Sequence, residues 1–197
     1  MPRKKAASRF VLSEHLSSPI NLPPTPDYNA PQILFNYPDT VRCELTATNL
    51  VLTALIAEQE SSTASITIND KTYTLRQFHV HVPSEHTIAD VRHTMEWHFV
   101  HQTETGEFAV VGVFMDAAAA TTHEYVSLFK ALSQQESACV VNPRALIPAS
   151  SAYWHYQGTL TTPPFDPVYW TVAQEITRIT EEDLLLLQKT LAAAQPQ

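Results

Sequence analysis

The chain has 197 residues, 44% hydrophobic and 16% charged, enough for one domain with a sizeable core and too apolar for disorder. A net charge of −8 argues against nucleic acid or an anionic membrane as partner. No apolar run approaches the roughly 18 residues of a membrane span.

Residues 1–16 open on Arg3-Lys4-Lys5 but contain no continuous apolar stretch, so they read as a loose arm and not a secretory signal. The chain as given is expected in the cytoplasm, and in the periplasm or outside the cell if it is a processed form. Residues 17–197 read as one domain. Proline and polar residues in 17–40 predict an extended, non-helical segment. From Val41 to Ile56, and again from Ala64 to Leu75, branched residues alternate with polar ones as in half-buried strands, with a hairpin turn at Asn69-Asp70-Lys71. A further strand is predicted over Phe108 to Met115. Thr121 with Glu124 reads as a capping box opening a helix to about Leu132. Pro143 and Pro148 bracket a loop, Val168 to Val172 is strand-like, and Thr180 with Asp183 starts a last helix ending near Ala194. That helix carries four consecutive leucines from Leu184, a surface suited to core packing or to self-association as a homo-oligomer. The sum is a mostly β single domain around a central twisted, largely antiparallel sheet with a few peripheral helices. Cys43 and Cys139 are the only cysteines; one disulfide or two buried, inert thiols both fit the count.

Two short segments carry chemistry: Gln77-Phe78-His79-Val80-His81 and Glu96-Trp97-His98-Phe99-Val100. Side chains alternate along a strand, so His79, His81 and Gln77 share one face, as do Glu96, His98 and Val100. Three neutral imidazoles with one open position form the ligand set of a catalytic zinc rather than a structural one. Gln77 and Glu96, each two residues before a ligand, can accept an imidazole N–H and leave the other nitrogen for the metal. Gly158-Thr159-Leu160-Thr161-Thr162-Pro163-Pro164 adds hydroxyls on a segment stiffened by prolines, and Ser84-Glu85-His86-Thr87 adds a carboxylate. His86, His101 and His155 are expected to be structural hydrogen-bonding groups, and His15, His93 and His123 surface residues.

With Ser18-Pro19-Ile20-Asn21, Ala109-Val110-Val111-Gly112-Val113-Phe114 and Tyr153-Trp154-His155-Tyr156-Gln157 added in order, the sequence resembles an α-class carbonic anhydrase of the bacterial type over roughly Ser17 to Lys189. The resemblance implies a zinc-bound hydroxide that hydrates carbon dioxide to bicarbonate and a proton. It implies His79, His81 and His98 as zinc ligands, with Gln77 and Glu96 as outer partners of His79 and His98. Thr161 would accept a hydrogen bond from the nucleophile and pass its own proton to Glu85. Thr162 would line the polar side, and Val100, Val110, Leu160, Val168 and Trp170 the apolar wall where carbon dioxide sits. Alternatives are a non-catalytic module of the same fold and a zinc hydrolase of activated esters.

Three departures follow from the same comparison. No histidine lies in Thr48 to Leu52, where the family places its proton shuttle, which leaves His15 and His155 as substitutes. No Asn-Arg-Pro-like motif follows the last helix, so the outer partner of His81 is missing from the pattern. Phe165 stands where the secreted branch has a cysteine, so Cys43 and Cys139 are not that bridge.

Overall fold

Positive-φ residues set the tightest turns, and alternation sets the strands between them. The computed structural model describes residues 16–26, 32–48, 51–57, 63–149 and 152–194. Asn69 and Asp70, at φ of 49° and 63°, reverse the chain between β5 (Ser65–Ile68) and β6 (Lys71–His81), where the sequence places a hairpin. The stretch 41–56 holds two strands, β3 (Val41–Ala47) and β4 (Leu52–Ile56), which pair antiparallel, and the Val51 N–H between them donates to Thr48 Oγ1.

Upstream lie β1 (Asn21–Leu22) and β2 (Ile33–Asn36). After β6 come the short β7 (Thr87–Ile88) and β8 (Val91–Arg92), then the long β9 (Met95–Gln102) and β10 (Phe108–Ala117). Helix α1 (His123–Ser133) leads to β11 (Ala138–Val141), β12 (Tyr153–Thr159), β13 (Pro167–Ala173), β14 (Thr177–Ile179) and α2 (Glu181–Ala193). The main sheet runs β11-β3-β4-β6-β9-β10-β13-β12, with β5 and β2 continuing beside β6 and β14 beside β10. Its described pairings are antiparallel except β10 with β13 and with β14. A small second sheet orders β1-β7-β8.

A bulge between Leu75 and Gln77 decides which face receives the histidines. Leu75 and Phe78 are both fully buried in the main core although two residues lie between them, an offset of three that strict alternation would place on opposite faces. The extra residue reverses the parity. Phe78 and Val80 then point into the core with Trp97, Phe99, Val111 and the α1 residues Tyr125, Leu128 and Phe129. Gln77, His79 and His81 face the other side. There a second cluster packs Leu22, Val100, Val110, Phe114, Trp154, Tyr156, Val168, Trp170 and Val172.

Thr180 caps α2 as the sequence predicts, accepting the Asp183 N–H. The capping box at Thr121 does not form: Thr122 precedes α1 without a side-chain cap, and Thr121 donates instead to the Asp183 carboxylate. The longer-range partner wins because it joins two helix starts that pack together. His93 is buried rather than on the surface, its Nδ1 2.8 Å from Asp116 Oδ2. The arm expected over 1–16 lies outside the described residues except Leu16, whose N–H donates to the Gln157 carbonyl.

Gly158 on β12 is fixed by close approach. A Cβ there would sit 2.2 Å from Ser18 Oγ and 2.6 Å from Tyr156 Cε2. Ser18 holds the segment down by accepting the Thr159 N–H and the Tyr156 hydroxyl. Gly158→Ala is expected to cost about 1–3 kcal/mol of stability, the usual range for overpacking, as read by chemical denaturation. An unchanged denaturation midpoint would show that the amino-terminal segment gives way freely.

Candidate metal centre

The antiparallel register of β6 and β9 makes His79 and His98 direct cross-strand partners, with His81 opposite Glu96. The rings of His79, His81 and His98 converge, with centroids 4.8–5.2 Å apart. One ligand nitrogen from each lies within 4.8 Å of the others. His79 Nδ1 is 2.8 Å from Gln77 Oε1, so Gln77 takes that N–H and leaves Nε2 free. His98 Nε2 is in polar contact with Glu96 Oε1 at 3.1 Å, which leaves Nδ1 for a cation. His81 Nε2 is buried without a hydrogen-bond partner. An orphaned buried imidazole nitrogen in a ring of three is a cost in itself, and a bound cation removes it. All-imidazole donors with this tautomer control fit a zinc ion. No hydrogen bond to His81 Nδ1 is found among the described residues.

Behind the triad, Glu96 is fully buried and fully engaged. Its Oε2 accepts the backbone N–H groups of Glu85 and His86, and its Oε1 contacts His86 Nδ1 at 2.7 Å. His86 Nε2 meets the Tyr156 hydroxyl at 2.6 Å, and Tyr156 donates to Ser18. A polar chain thus runs from the amino-terminal segment to His98. His86 and Tyr156 are the members that strand alternation alone does not reveal. Gly112, opposite His98 in the register, makes room: a Cβ there would stand 3.0 Å from Glu96 Oε1.

Burial, helped by His98 and His81, holds the His79 pKa well below its ordinary value, and burial with His98 pushes His81 down to about 3. Burial alone also pushes His101, on the opposite face, down to about 3. Burial opposes ionisation of Glu96, but the charges and hydrogen bonds of His86 and His98 outweigh it and hold its carboxyl well below the usual range. The imidazoles of His79 and His81 are therefore held neutral at pH 7. Histidines with a folded pKa below 6.5 are protonated first in the unfolded chain, so they withdraw stability as pH falls from about 6.5 toward 3. Glu96, whose pKa is depressed from 4.5, withdraws stability in the same direction below that pH. The metal-free chain is expected to keep its melting temperature above about pH 7 and to lose it progressively below about 6.5. Scanning fluorimetry across that range tests this, and a flat profile down to pH 4 would contradict it.

The triad forms the floor of a cavity of about 360 Å³. Val100, Val110, Leu160, Phe108 and Trp170 make its apolar wall, and Thr161, Thr162, Gln77, Thr53 and Val51 its remaining surface. Of the apolar residues singled out in the sequence, Val168 alone does not line it; Val168 packs behind in the cluster with Trp170 and opens on a neighbouring cavity of about 730 Å³. Phe108 enters the wall because β10 starts there, one strand period before Val110. Glu85 lies beneath the floor, with Oε2 buried at 3.5 Å from His81 Nε2 and 3.8 Å from His98 Nδ1. Among the described residues no hydrogen bond joins it to Thr161. His155 points away from the site, on the Tyr169 and Thr171 face of the sheet, with Nδ1 3.0 Å from Thr171 Oγ1. Leu50 and His15 lie outside the described residues.

The chain is 37% identical over 133 residues to alpha carbonic anhydrase 5 of Arabidopsis thaliana, a match covering 64% of this chain and 48% of the relative. It is 34% identical over 152 residues to a carbonic anhydrase of Klebsiella pneumoniae, covering 75% of this chain and 60% of the relative. The chain thus spans about half to three fifths of the length of these curated relatives. Its fold is similar to the structure of Photobacterium profundum alpha-carbonic anhydrase, with a TM-score of 0.77 at 27% identity over 94% of this chain and 85% of that one. The family model for eukaryotic-type carbonic anhydrase matches residues 9–197, nearly the full sequence, and the chain belongs to that family.

Proposed function

We propose that this chain catalyses the reversible hydration of carbon dioxide to bicarbonate and a proton, with one zinc ion held by His79, His81 and His98. The observation that carries the reading is the convergence of three imidazole nitrogens within 4.8 Å on the floor of a cavity with one apolar wall. The ion, when bound, supplies a Lewis acid that makes water acidic enough to act as a nucleophile near neutral pH, carbonic anhydrases being the standard example of that effect.

The protein's own part is positioning. Gln77 and Glu96 fix the ring tautomers so that a lone pair of each ligand points inward. Val100, Val110, Leu160 and Trp170 exclude water from one side of the cavity and offer carbon dioxide, which carries no net charge, an apolar seat. Thr161 accepts a hydrogen bond from the attacking water and, in this reading, donates its own O–H as a hydrogen bond to the Glu85 carboxylate once the site is loaded, which aims the attacking lone pair at the carbon. Thr162 faces the product. Supporting this reading are the placement of Thr161 on the cavity wall and of Glu85 directly under the ligands.

Metal content by elemental analysis, with carbon dioxide hydration measured before and after a chelator, tests the proposal. Stoichiometric zinc without hydration favours the non-catalytic module. Ester hydrolysis without hydration favours the hydrolase.

The cavity also bears on the proton. Among the described lining residues His79, His81 and His98 are the only ionisable side chains, and His155 is on the other face of the sheet. Turnover at saturating carbon dioxide is therefore expected to rise with imidazole-type buffer concentration, while the rate at low carbon dioxide stays constant. Val51 lines the cavity, so Val51→His is expected to weaken that buffer dependence. Fast, buffer-indifferent turnover in the unmodified chain would rule this out.

A further inference from the structure

The two cysteines lie 96 residues apart in sequence and meet across the edge of the main sheet. β11 pairs antiparallel with β3, and the register places Cys139 directly opposite Cys43. Their Sγ atoms are 3.7 Å apart and neither cysteine is in a disulfide. Directly opposed residues of antiparallel strands have Cα atoms about 4.5–5.5 Å apart, inside the roughly 4.4–6.8 Å window that a disulfide spans. Closing the sulfurs to about 2.05 Å asks only for rotation and a small shift of one strand. The strand that must shift is β11, four residues long and at the end of the strand order.

We propose that Cys43 and Cys139 form an intramolecular, reversible disulfide that staples the edge strand β11 to β3 when the chain meets a small-molecule disulfide oxidant. The two cysteines differ in access. Cys43 is completely buried, whereas Cys139 keeps 9% of its surface beside the 54% exposed Val140. Cys139 is therefore the sulfur that reacts first. Its thiolate attacks one sulfur of the oxidant; that S–S bond breaks and one small thiol leaves with the Cys139 proton. Cys43 then attacks Cys139 Sγ within the mixed disulfide, the second small thiol leaves with the Cys43 proton, and the Cys43–Cys139 bond forms. Two protein thiols are oxidised and one small disulfide is reduced to two thiols. In support, a hydrogen bond from the Cys43 thiol lowers the Cys139 pKa against the effect of burial.

The closed loop contains every strand from β4 to β10 together with α1, and so all three proposed zinc ligands. A cross-link of that span restricts the unfolded chain strongly. Oxidation is expected to raise the melting temperature by about 5–15 °C. The experiment takes the full chain, reduces it with dithiothreitol, removes the reductant without oxygen and adds oxidised glutathione. Samples are denatured, alkylated and weighed by intact-mass spectrometry beside a thermal scan. Support is a monomer with two alkylated thiols before oxidation and none after, and a tryptic cross-link joining the Cys43 and Cys139 peptides. The raised melting temperature should be reversed by dithiothreitol and absent in both C43S and C139S. A chain that keeps both thiols, stops at a glutathione adduct or cross-links only between molecules overturns the proposal. Neither readout involves zinc or turnover, so the result stands apart from the proposed activity.

Discussion

His98→Ala is expected to remove tightly bound zinc and, with it, all carbon dioxide hydration. His98 is 2% exposed and central: its ring packs on Trp170 and within about 5 Å of the rings of His79 and His81. Two imidazoles cannot close a tetrahedral zinc site, so affinity should fall by more than the roughly 10–100-fold that loss of an outer hydrogen-bond partner costs. Gln77→Ala supplies that smaller step, because it removes only the acceptor on His79 Nδ1. Elemental analysis after gel filtration reads both, and the order of losses is the prediction. His98 is buried deeply enough that its truncation also leaves a cavity, so His79→Ala, at a half-buried ligand, is the companion variant. Stoichiometric zinc retained in both histidine variants would place the metal elsewhere.

The grouping of His79, His81 and His98 into one candidate site was partly legible because sharing a strand face depends on parity, and parity is local. His79 and His81 share a face wherever the strand goes, and Glu96 and His98 do likewise. Which face they share was not legible. It turns on the bulge near Leu75, which reverses the alternation and sends Phe78 and Val80 to the main core. Thr121 shows a second limit. A threonine three residues before a glutamate fits a capping box, yet its hydroxyl goes to Asp183, in a helix start distant in sequence. His93 shows a third: a polar loop residue in sequence, it is buried because Asp116, at the far end of β10, supplies a partner. The same holds for Cys43 and Cys139, whose contact depends on a register between strands that no local pattern fixes. Motifs spaced along one strand survive the passage to three dimensions; pairings across strands are settled by packing.

Thr161→Ala is expected to lower turnover on the order of 10²-fold while zinc stays bound, the usual loss when one oriented hydrogen bond to a reacting group is removed. The hydroxyl lies on the cavity wall with Leu160 and does not contact the ligand rings through any hydrogen bond among the described residues. Its loss should appear in full in kcat/KM, because the bond matters to the attack and not to the seating of carbon dioxide, and in kcat once attack becomes slower than proton release. Glu85→Gln distinguishes the two parts that the carboxylate can play. Its Oε2 is buried 3.5 Å from His81 Nε2 and 3.8 Å from His98 Nδ1, close enough to act on the ligands as well as on Thr161. If Glu85 acts as the acceptor of the Thr161 proton, the glutamine variant keeps its zinc, loses turnover like Thr161→Ala, and adds little when the two changes are combined. If the carboxylate instead holds the ligand rings electrostatically, the glutamine variant loses zinc affinity first, and its rate recovers when zinc is supplied in excess. Wild-type rates in both single variants would remove Thr161 and Glu85 from the mechanism altogether.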